Sequence, residues 1–62
     1  MKEHLYEVEV TYRTAEGKQE RVWKTVRAAR SNAAVSDAKE QIDRWGRTNV
    51  RTGAVRDLGE VN

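Results

Sequence analysis

Sixty-two residues suffice for one domain around one small core, and a domain of that size buries only about 60% of the surface its unfolded chain exposes. The absence of cysteine excludes a disulfide-framed secreted miniprotein, and 37% hydrophobic against 35% charged residues leaves little apolar surface to spare. A net charge of +2 is too mild to point to a polyanion without clustering, and the longest uncharged stretch, Ser31–Ser36, is too short for a signal-peptide core or a membrane span.

The first strand is expected over Leu5–Arg13, where Tyr6, Val8, Val10 and Tyr12 alternate with polar residues. Ala15-Glu16-Gly17 then forms a three-residue turn, with Gly17 in the left-handed position. That turn pairs Thr14 with Lys18, sets Val10 opposite Val22 and Tyr6 opposite Val26, and brings both apolar sets to one face. A two-residue turn would set Val10 opposite Trp23 and scramble the faces.

The helix begins after Ala28, with Ser31 or Asn32 as the expected N-cap. Ala34, Val35, Ala38, Ile42 and Trp45 fall within an arc of about 100°, the stripe of a helix lying on a sheet. Trp45 is accordingly read as core. Asp37 is placed in the first turn, Glu40 and Arg44 form a favourable i,i+4 pair, and Gly46 ends the helix. The third strand lies within Val50–Leu58. Its alternation is poor, and Gly53 signals a bulge or bend.

These elements specify an α+β fold: a small ββαβ domain with a three-stranded antiparallel sheet, order 2-1-3, and one helix packed on one face. Residues 1–62 form a single domain, with 1–4 and 59–62 expected to fray. Lys24 points inward on an edge strand, a device against edge-to-edge pairing.

Charge is segregated along the chain. Residues 1–20 carry three basic and five acidic residues, whereas residues 21–62 carry nine and five. Two stretches lack acids: one holds Arg21, Lys24, Arg27 and Arg30, the other Arg44, Arg47, Arg51 and Arg56. Arg outnumbers Lys eight to four, which favours planar, bidentate recognition surfaces.

Signals for catalysis are sparse. His4 is the only histidine, so a zinc site would need mostly carboxylates. Ser36-Asp37-Ala38-Lys39 spells S-x-x-K without the partner motifs that chemistry requires. The four glycines make no phosphate loop. Glu7 and Glu9 share a strand face as partners for cross-strand arginines. No enzymatic activity, cofactor, metal or small-molecule substrate is expected.

Trp23 is the exception to the pattern. It falls on the face away from the helix, opposite Glu9, between Arg21 and Arg27, with Arg13 and Leu5 at the two ends of that face. Trp and Arg are the residues most enriched at binding hot spots. The leading expectation is a non-catalytic protein that binds a protein partner, or itself as a homodimer, through Trp23, Arg21, Arg27, Arg13, Leu5 and Glu9. The alternative is nucleic-acid binding by Arg21, Trp23, Arg27, Arg44, Arg47 and Arg51. Glu7 and Glu9 weigh against it, because they stand where a phosphate backbone would pass. A third reading lays Trp23 flat over its neighbours' aliphatic stems, or has a bulge near Trp23 turn it into the core. A cytoplasmic location is expected, with no membrane contact.

The run from Val26 to Ile42, a strand ending in Arg27-Ala28-Ala29 and passing through Ser31 into an Ala-rich helix, resembles many small bacterial and phage α+β proteins. Some of these are non-enzymatic inhibitors or regulators from mobile elements, including small anti-CRISPR proteins. The resemblance is one of architecture; it implies a compact binding protein of phage or plasmid type and assigns no residue a role.

Overall fold

The structure, a computed structural model, describes residues 2–61. Strand β1 (Glu3–Arg13) pairs antiparallel with β2 (Gln19–Ala28), helix α1 (Ser31–Asp43) follows, and β3 (Thr48–Val61) returns along the other side of β1. The sheet order is β2-β1-β3, the expected ββαβ arrangement.

The hairpin register follows from the turn. Thr14 N–H donates to Lys18 O at 2.8 Å, Gly17 N–H donates to Thr14 O at 2.9 Å, and Gly17 has φ 82°. Val10 therefore lies opposite Val22, Tyr6 opposite Val26 and Glu9 opposite Trp23.

Helix α1 covers the face carrying Tyr6, Val8, Val10 and Tyr12. Ala34, Ala38 and Ile42 meet it, and all three are fully buried together with Val8 and Val10. The small Ala34 and Ala38 keep side-chain bulk out of the helix–sheet interface; Ile42, Val8 and Val10 are the largest fully buried side chains, and burial of each contributes about 1.5–3 kcal/mol. A 13-residue helix is about 20 Å long, while 11 strand residues extend about 36 Å, so one helix covers one face of the sheet incompletely. Among the described residues nothing covers the opposite face.

Four expectations are corrected at the element ends. Ser31 is already helical, so the N-cap is Arg30, at φ −141° and ψ 154°, with no side-chain cap bond. The reason is the short link: Ala28 is buried in the sheet, and only Ala29 and Arg30 separate it from the helix. Asp37 is the seventh helical residue and so lies beyond the first turn, which has no acidic residue. Trp45 is 47% exposed and not core. The helix stops at Asp43, with Arg44 as C-cap and Gly46 at φ 74°, so Trp45 leaves the stripe that Ile42 ends. It packs edge-on against Tyr12, ring centroids 6.5 Å apart, with Lys24 Nζ 4.8 Å from its ring. Finally, residues 3–4 and 59–61 are paired strand where fraying was expected: Glu3 lies opposite Val61 and His4 opposite Glu60. Met1 and Asn62 lie outside the described residues.

Strand β3 explains its own poor alternation. It uses fourteen residues against eleven in β1, and the register shifts three times. Asn49–Val50 lie against Tyr12, Gly53–Ala54 against Glu9, and Leu58–Gly59 against Leu5. Each is a two-against-one bulge, and each reverses the phase of the residues that follow. Asn49 takes φ 52°, a conformation Asn tolerates better than most residues. Bulges also twist an edge strand away from flat pairing with another chain.

Candidate outer-face recognition site

The uncovered face is built from alternate residues of β1 and β2: Leu5, Glu7, Glu9, Thr11 and Arg13 beside Arg27, Thr25, Trp23, Arg21 and Gln19. Strand β3 adds Arg56 opposite Glu7 and Arg51 opposite Thr11. Three bulges conceal the phase of β3, so the sequence alone assigns neither Arg51 nor Arg56 to a face.

Two glutamates on the central strand organise the middle of this face. Arg21 Nη1–H donates to Glu9 Oε2 at 3.1 Å, and Ala54 N–H donates to Glu9 Oε1 at 3.3 Å. The Glu9 side chain is only 19% exposed. Gly53 makes room for it: a Cβ at residue 53 would overlap Glu9 Oε1. Arg56 Nη1–H donates to Glu7 Oε1 at 3.3 Å, and its guanidinium carbon lies 4.6 Å from the Trp23 ring centroid. Trp23 is thus half-buried and reaches across β1 to meet a residue of β3. The group over its ring is the Arg56 guanidinium, itself paired with Glu7.

The expected site residues divide into three groups. Trp23, Arg21 and Glu9 are brought together at the centre. Arg27, opposite Leu5, occupies the end near the chain termini, where Leu5 is half-buried. Arg13 sits at the turn end and reaches Gly17 O at 3.4 Å. The post-helix arginines do not form one site. Arg44 pairs with Glu40 at 2.7 Å, Arg47 lies on the helix side 5.7 Å from the Tyr12 ring, and Arg51 belongs to the outer face. The first bulge of β3 separates the last two. Arg47 Nε is buried without a hydrogen-bond partner among the described residues.

His4, expected to fray with residues 1–4, instead belongs to β1 at the end of the sheet opposite the turn. Its Nδ1 lies 2.9 Å from both Asp57 carboxylate oxygens, and its ring stacks on Tyr6 at 6.0 Å. The His4 bond, with a second from Gly59 N–H, holds the Asp57 carboxyl below the ordinary carboxylate range. Among the described residues no three His, Cys, Asp or Glu side chains group as a metal site requires. No helix among them is long and apolar enough to cross a membrane.

No protein-family model matches this chain, and no curated protein or solved structure matches it either.

Proposed function

We propose that this is a non-catalytic binding protein whose outer sheet face docks on an acidic surface of another protein, with Trp23 as the anchor. The observation that carries this reading is the Glu7–Arg56–Trp23 contact beside the Glu9–Arg21 pair. It holds a large aromatic side chain half-ordered before any partner arrives, which reduces the conformational cost of binding. The face carries five arginines against two glutamates, so an acidic partner is complementary. A second copy docked face to face would set like charges against one another.

The arginines also support nucleic-acid binding as a second reading. It is weaker because Arg56 already occupies the Trp23 ring, which base stacking would have to share, and both glutamates line the centre.

The test is capture from cell extract by the tagged protein, with and without nuclease, using wild type, Trp23→Ala and Arg27→Glu. Arg27 is exposed and makes no ion pair among the described residues, so its reversal tests the face without touching the core. A protein partner that survives nuclease and is lost in both variants is the expected result. Loss of an anchor of this kind costs roughly 30-fold or more in affinity. Capture that depends on intact nucleic acid, or that both variants retain, refutes the reading.

A further inference from the structure

The turn end of the outer face has a feature that anchoring by Trp23 does not require. Thr11, Tyr12 and Arg13 of β1, Gln19 of β2, and Asn49 and Arg51 of β3 border an open groove of about 240 Å³. Apart from Tyr12, these residues carry two guanidinium groups, two side-chain amides and one hydroxyl, drawn from all three strands. Neither Arg13 nor Arg51 has a carboxylate partner among the described residues. The nearest acid on this face by register, Glu9, already accepts from Arg21 and from Ala54 N–H. The groove is therefore bordered by two guanidinium groups that no carboxylate neutralises, although Arg13 also reaches Gly17 O at 3.4 Å. The bulge at Asn49–Val50 creates the groove, by shifting β3 so that Asn49 and Arg51 both border it.

We infer that this groove binds a phosphate monoester dianion. A phosphoryl group brings about two negative charges and three strong acceptor oxygens. Two arginine forks flanked by amides match that demand better than they match a carboxylate, which has one charge and two acceptor atoms. The site is open to solvent, so binding is weak and salt-sensitive. The groove shares Arg13 and Arg51 with the docking face but does not include Trp23. The source of the phosphoryl group is either a free small molecule or a phosphorylated side chain.

The test is a titration followed by ¹H–¹⁵N NMR at constant ionic strength. The probes are inorganic phosphate, a phosphoserine-containing peptide, acetate and a thymidine oligonucleotide. The expected result is saturable shifts confined to the Gln19 and Asn49 amides and the Arg13 and Arg51 Nε–H signals, with phosphate and not with acetate. Arg13→Ala and Arg51→Ala each weaken binding by roughly fivefold, and Trp23→Ala leaves it unchanged. Tighter binding of the phosphopeptide than of phosphate assigns a phosphorylated protein as the source; equal binding assigns a small molecule. Equal shifts with acetate, shifts spread over all the arginines, or stronger binding of the oligonucleotide overturn the inference. Both arginines are exposed, so the variants retain the dispersed spectrum of the folded chain.

Discussion

Gly53→Ala tests how the outer face is assembled. Residue 53 lies outside the left-handed region, so alanine brings no positive-φ penalty there. By itself, restricting the unfolded chain would stabilise the protein by about 0.4–1 kcal/mol. The new Cβ, however, crowds Glu9 Oε1, and the expected response is that the carboxylate swings away from both of its partners. The Glu9–Arg21 pair is worth at most about 1 kcal/mol, because the arginine side chain is 65% exposed. The bond from Ala54 N–H is charge-assisted but 3.3 Å long, which places it near the lower end of its range, about 1–1.5 kcal/mol. The net expectation is a loss of about 1 kcal/mol, or a fall in Tm of roughly 4–8 °C for a domain of this size.

The control is the same substitution in a Glu9→Ala background. No carboxylate then stands in the way, and Gly53→Ala should raise stability by about 0.5 kcal/mol. The sign of the effect therefore reverses between backgrounds, with a coupling of about 1.5 kcal/mol. Guanidinium denaturation followed by circular dichroism measures all four proteins. An equal loss in both backgrounds would show that the bulge itself demands glycine, and the account of Glu9 would be wrong.

Two further predictions concern the ends of the elements. Asp57 has its carboxyl pKa depressed by His4 and Gly59, so its contribution is complete above the unfolded value of about 3.9 and is lost as pH falls below it toward the folded value. Asp57→Asn should therefore lower the denaturation midpoint at pH 7 and narrow its difference from wild type at pH 3; a constant difference across that range would contradict the pairing. At the other end of the chain link, Arg30→Asp supplies the missing N-cap in a backbone conformation that suits it and should stabilise the protein by about 1 kcal/mol. An unchanged or lower guanidinium midpoint would show that the helix does not start at Ser31.

Much of the outer face was legible in advance because a hairpin is a local problem. Once Gly17 sets a three-residue turn, the pairing of Glu9 with Trp23 and of Thr11 with Arg21 follows by counting. Trp23 could be placed on its face, but its contacts could not, since they depend on a strand that lies beyond the helix in sequence. Trp45 shows the limit of periodicity. A residue two positions past the last helical one keeps its angle on a helical wheel but not in space.

By itself the sequence determined the ββαβ order, the β1–β2 register and the face that Ala34, Ala38 and Ile42 bury. Those features rest on uninterrupted periodicities of two and of three to four residues. Tertiary structure alone decided what completes the outer face. Three bulges each reverse the phase of β3, so no pattern in Thr48–Val61 says that Arg56 meets Trp23 or that Arg51 joins Arg13. Pairing against the straight central strand settles those positions, because β1 is the one element that both edges must match.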